Sequence, residues 1–158
     1  MACPYSANAR ETGQEACPTM LIIGYGNRLR SDDGVGFRAA ELLRERGANS
    51  GVEILAVPQL TPELTDPISR AQQVIFIDAA AEGPPGEVRQ RKLAAPAAGA
   101  AFTHQMTPEA LLAAAAALYG ASPSGVLYSI CGESFAYGEQ LTPAVERALA
   151  ELVVKLSI

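Results

Sequence analysis

The strongest constraint on the fold lies between residues 20 and 57, where the hydrophobic pattern changes period twice. Met20 to Ile23 is a short apolar run entering the glycine-punctuated turn Gly24-Tyr25-Gly26-Asn27, the pattern of a buried strand that runs into a loop. Beyond the Ser31-Asp32-Asp33 cluster, Val35, Ala39, Leu42 and Leu43 recur at helical spacing and Gly47 offers a stop. The acidic start suits the positive end of a helix dipole. Val52 to Val57 then alternates as a second strand. Two strands joined through a helix are parallel and cross over right-handedly.

The same alternation continues. Val74 to Ile77 is a continuous β-branched and aromatic run, as expected of a strand covered on both faces. Thr61-Pro62, Thr107-Pro108 and Thr142-Pro143 each place a hydroxyl before a proline, which predicts three capped helix starts. The second of these opens an alanine- and leucine-rich helix from Ala110 to Leu118, and the third carries Val145, Leu149, Leu152 and Val153 on one face. Gly83-Pro84-Pro85-Gly86 is a turn signal, and Glu87 to Leu93 reads as an edge strand guarded by Arg and Lys. Val126 to Ile130 supplies another inner strand, and Ala94 to Ala101 reads as a loop. The prediction is an α/β fold: a single three-layer domain over residues 20–158, with a twisted, mostly parallel five-stranded sheet, helices on both faces and an edge strand.

At 158 residues the chain fits one domain. It is 49% hydrophobic without an apolar run of membrane-spanning length, so a soluble globular protein with no membrane association is expected. A net charge of -5 argues against a nucleic-acid partner, because such affinity comes from clustered Lys and Arg. Cys3, Cys17 and Cys131 are odd in number and lack CxxC spacing, which fits a reducing, cytoplasmic setting. Cys131, at the end of an apolar strand, is expected to be a buried small hydrophobe. Residues 1–19 contain no apolar signal region and are expected to form a flexible tail.

In an open parallel sheet, ligands bind beyond the carboxyl ends of the strands. The polar residues predicted there are Asn27, Asp32 and Asp33 after the first strand, Asp78 after the Val74 strand, and His104, the only histidine. Two carboxylates and an imidazole at one edge would make an O,O,N site for a borderline divalent cation. Plainer roles stand beside this: Asp33 as a helix cap, Asp78 as a turn cap, His104 as an ordinary histidine. The Gly24-Tyr25-Gly26 turn begins like a dinucleotide fingerprint, but Leu29 stands at the third glycine position and two acids would repel a pyrophosphate. No GxSxG elbow is present.

The segment from Gly24 to Gly36, GYGNRLRSDDGVG, closely resembles the opening motif of the NiFe hydrogenase maturation endopeptidases. In order, Val74-Ile75-Phe76-Ile77-Asp78-Ala79 resembles the family's second aspartate-bearing strand, Thr103-His104-Gln105 its histidine loop, and Leu141-Thr142-Pro143-Ala144-Val145 its final helix. The resemblance implies that Asp33, Asp78 and His104 are the metal-contacting and catalytic residues, with Asp33 at a position where relatives often carry glutamate. It also implies an endopeptidase that trims the C-terminal extension of the hydrogenase large-subunit precursor after nickel insertion. Nickel then arrives with the substrate, no resident metal is expected, and cadmium or zinc can substitute. Asn27 and Asp32 are expected to orient substrate. The Pro58-Gln59-Leu60-Thr61-Pro62-Glu63-Leu64 loop replaces a glycine-rich Asp-Gly-Gly stretch. It resembles the subgroup serving bidirectional, NAD-linked hydrogenases, and assigns Gln59 and Thr61 to precursor recognition, unless Thr61 only caps the second helix. A monomer is expected. A metal-sensing chaperone that cuts nothing, and a zinc-dependent small-molecule hydrolase, remain alternatives at this stage.

Overall fold

The period changes of the first forty residues resolve into β1 (Met20–Tyr25), α1 (Val35–Glu45) and β2 (Val52–Val57), with β1 and β2 parallel. The computed structural model describes residues 18–94 and 106–157. Within them follow α2 (Thr65–Arg70), β3 (Gln73–Ala80), β4 (Val88–Leu93), α3 (Pro108–Tyr119), β5 (Ser124–Cys131) and α4 (Pro143–Leu156). The strand order is β2-β1-β3-β5-β4. The pairs β1 with β3 and β3 with β5 are parallel, and β4 alone runs antiparallel, at the edge. The expected α/β architecture is therefore the one observed.

Strand parity explains why the inner strands are apolar without interruption. Ile22, Ile75, Ile77 and Ile130 face α1 and α4, packing with Leu43, Leu149 and Val153. Their neighbours Leu21, Ile23, Val74, Phe76 and Leu127 face α2 and α3, packing with Ile68, Leu111 and Leu112. Both faces are covered, so neither set of alternating residues can be polar. On β4 only Leu93 is even half-buried, and its charged outer residues keep an exposed edge from pairing with another chain.

The chain leaves β1 for β2 on one flank and returns to β3 on the other, so the carboxyl ends of β1 and β3 border the topological switch point. Gly36, in the first turn of α1, brings the helix down onto this junction: a Cβ there would collide with the carbonyl oxygens of Ile77 and Tyr25. The motif glycine is a packing requirement that sets the height of the loop from residue 26 to residue 34.

Three details differ from expectation. The second helix starts as a 3-10 turn, Pro62–Leu64, before the short α2, and Thr61 makes no side-chain cap. Of the three Thr-Pro starts only Thr107 caps, accepting from the Ala110 N–H at 3.1 Å. Thr19 already belongs to the sheet edge, donating to Gly51 and accepting from Gln73, so the fold begins before Met20. Residues 1–17 of the expected tail over residues 1–19, and residues 95–101 of the alanine-rich loop, lie outside the described residues. Cys131 is fully buried, with its thiol donating to the Glu82 carbonyl at 3.3 Å. Among the described residues no helix is long and apolar enough to cross a membrane.

Candidate functional site

A polar row crosses the carboxyl end of the central sheet. Gly24 pairs with Ile77 and Asp78 with Ser129, so Tyr25, Asp78 and Ser129 lie side by side on β1, β3 and β5. All three share parity with the residues that face α2 and α3. Tyr25 Oη donates to Asp78 Oδ2 at 2.9 Å, and Ser129 Oγ donates to Asp78 Oδ1 at 2.7 Å. Burial pushes the Asp78 carboxyl above the usual carboxylate range; the two hydroxyls and Arg91 oppose that, and the charge of Asp33 adds to it. Burial and the neighbouring Asp78 also hold Tyr25 well above an ordinary phenol, so its hydroxyl keeps its proton and remains a donor.

Asp33 sits in the 3-10 turn Ser31–Gly34, which packs against β3. Its Oδ2 accepts from the Asn27 N–H at 2.9 Å. That bond goes to the loop, so the side chain is not the cap of α1, which has no side-chain cap. Asn27 Oδ1 in turn accepts from the Leu29 N–H at 2.9 Å, an Asx turn that holds the loop's shape. Asp33 and Asp78 both lie on segments at the carboxyl end of the sheet, where the Asp33 charge is the smallest of the influences on the Asp78 carboxyl. Arg91, the cation that lowers the proton affinity of Asp78, is itself paired with Glu109 at 2.7 Å. An all-oxygen pair leaves room for an imidazole as a third ligand to a borderline metal.

Asp32 has a different place from the one expected. It is fully buried, and its oxygens accept from the backbone N–H groups of Glu133, Ser134 and Thr142 and from the Thr142 hydroxyl, at 2.8 to 3.0 Å. With that many donors its carboxylate is a structural tie between two loops, not a group that orients substrate. Ser31, the one non-glycine residue with positive φ among the described residues, strengthens the tie through its N–H to Gly138 and its hydroxyl to the Ala136 carbonyl.

Gln59 is exposed and Thr61 half-buried in the loop after β2, on the same sheet edge. The Thr61 hydroxyl donates to Glu63 at 3.4 Å and not toward the two carboxylates. His104 lies outside the described residues. Among the described residues no three His, Cys, Asp or Glu side chains gather as a metal centre, so a third ligand would have to come from elsewhere. An open groove of about 1060 Å³ starts at Asn27 and runs over Phe37, Pro58 and Leu141 toward α1 and α4, without including Asp33 or Asp78 in its walls.

Sequence reasoning missed Tyr25, Ser129 and Arg91. Parity alone places Tyr25 and Ser129 on the α2 and α3 face, but their meeting at Asp78 depends on strand order and register, which local pattern does not carry.

The fold matches those of solved hydrogenase maturation proteases. The NiFe hydrogenase maturation protease HycI from Thermococcus kodakarensis KOD1 aligns at a TM-score of 0.73 and 23% identity, over 87% of this chain and 89% of that one. The hydrogenase maturating endopeptidase HybD from E. coli aligns at 0.72 and 27% identity, over 87% and 88%. A hydrogenase 2 maturation peptidase from Thaumarchaeota archaeon SCGC_AB-539-E09 aligns at 0.64 and 26% identity, over 87% and 94%. No family model and no curated protein sequence matches the chain. The fold is that of the hydrogenase maturation proteases.

Proposed function

From the shared fold and the paired carboxylates we propose that this chain is an endopeptidase that removes the C-terminal extension of a NiFe hydrogenase large-subunit precursor once nickel is in place. The observation that carries the reading is the shared fold, and it is supported by Asp33 and Asp78 standing on segments that border the switch point. Asp33, Asp78 and His104 contact the nickel that the precursor brings, and the substrate's own ligands complete its coordination. Asn27, through its bond to Asp33, shapes the loop against which the precursor's chain lies. Gln59 and Thr61 meet the precursor at the β2 edge and select a bidirectional, NAD-linked type. The protein works in the cytoplasm as a monomer.

The nucleophile in this reading is water. Ser129 spends its hydroxyl on Asp78, and Cys131 is buried against the Glu82 carbonyl. Water adds to the scissile carbonyl, the C–N bond breaks, and the proton released by the water leaves on the new amine.

The test is incubation of the purified chain with the large-subunit precursor from the same cell, with and without nickel, followed by mass spectrometry. Loss of a C-terminal peptide only from the nickel-loaded form is the expected result, abolished by Asp33→Ala, Asp78→Ala or His104→Ala. Cleavage of neither form would indicate a chaperone, and equal cleavage of both would remove nickel inspection.

A further inference from the structure

The Asp78 carboxylate in the Tyr25-Asp78-Ser129 row receives two side-chain donors, where the buried structural carboxylate of Asp32 receives four donors. Each Asp78 oxygen receives one hydroxyl, from opposite flanking strands, at 2.9 and 2.7 Å. An ionised carboxylate has about four lone-pair positions, so this pattern uses one on each oxygen and leaves one on each. Rotation about the terminal bond of an aspartate is otherwise soft, and a freely turning carboxylate presents its lone pairs in no fixed direction. The two donors stand on neighbouring strands of a closely packed sheet, the most rigid support the fold offers.

We propose that Tyr25 and Ser129 are positioning residues that clamp the plane of the Asp78 carboxylate, presenting its remaining lone pairs to the divalent cation carried by the substrate. The inference rests on Asp78 being a cation ligand. Neither hydroxyl touches the cation; each acts through Asp78. Partners that orient a ligand in this way typically change metal affinity by about 10- to 100-fold when removed.

The test uses the full chain and cadmium alone as probe, by isothermal titration, with the thermal midpoint of each metal-free variant as control. Tyr25→Phe and Ser129→Ala are each expected to weaken cadmium binding about tenfold while the metal-free midpoint moves by only a few degrees. Ser129→Thr, which keeps the hydroxyl, is expected to restore wild-type affinity. Wild-type affinity in both Tyr25→Phe and Ser129→Ala overturns the clamp while leaving Asp78 as a ligand. A loss of affinity matched by collapse of the metal-free midpoint also overturns it, because the hydroxyl would then be holding the fold. Failure of the wild-type chain to bind cadmium removes the ligand reading and the clamp together, a result the unmodified titration reveals on its own.

Discussion

Adjacent acids, Asp32 and Asp33, have different partners: the 3-10 turn buries Asp32 among the donors of two loops and leaves Asp33 accepting from the Asn27 N–H. Asp32 is fully buried, and Asp32→Ala would strand the N–H groups of Glu133, Ser134 and Thr142. The expected cost is about 3 kcal/mol, seen as a thermal midpoint lower by roughly 6–12 °C. Burial alone would raise its pKa, but the bonds from Ser134, Thr142 and Glu133 outweigh that and hold the carboxyl below the usual range. A depressed folded value means that the ionised form favours folding. The contribution is therefore full above the unfolded carboxylate value of about 3.9 and is lost as the pH falls through the folded one. Asp32→Asn should flatten the acid limb of a plot of midpoint against pH; an unchanged limb would mean that another group governs it.

Elements with one sequence signature were put to three uses. The Thr-Pro pair caps α3, leads into a 3-10 turn before α2, and at α4 turns its hydroxyl away to Asp32. Local chemistry predicts the start of each helix, since proline at the first positions suits all three. The hydroxyl's partner depends on what the tertiary structure brings near it. Thr107→Ala should cost about 1 kcal/mol, and Thr61→Ala no more than about 0.5 kcal/mol, in urea unfolding monitored by circular dichroism. Equal costs would show that Thr61 is also a cap in solution.

At the level of the whole molecule, the sheet order brings distant segments to one edge, and a cation held there would be linked to global stability. Cadmium at a hundredfold excess over its dissociation constant should add about 2.7 kcal/mol, a rise of roughly 5–11 °C in midpoint that a chelator reverses. Asp33→Ala and Asp78→Ala should lose that rise; its persistence in both would place the cation elsewhere.

The fold was almost wholly legible in the chain, because the period of apolar residues reports secondary structure and burial on both faces leaves an uninterrupted run on each inner strand. The site was legible in part. Asp78 stands out near the end of its strand and Asp33 in the turn that follows β1, while His104 rests on its sequence alone. The sequence by itself determined the alternation of strands and helices, the charged edge and the acids at the sheet's carboxyl end, all of them local properties of spacing and residue type. Only the tertiary structure decided that Asp32 is a buried tie, that Thr142 serves it, and that Tyr25 and Ser129 hold Asp78. Those pairings join residues 51 to 110 positions apart; strand register brings Tyr25 and Ser129 to Asp78, and the packing of the 3-10 turn against the start of α4 brings Asp32 to Thr142, neither of which a local pattern encodes.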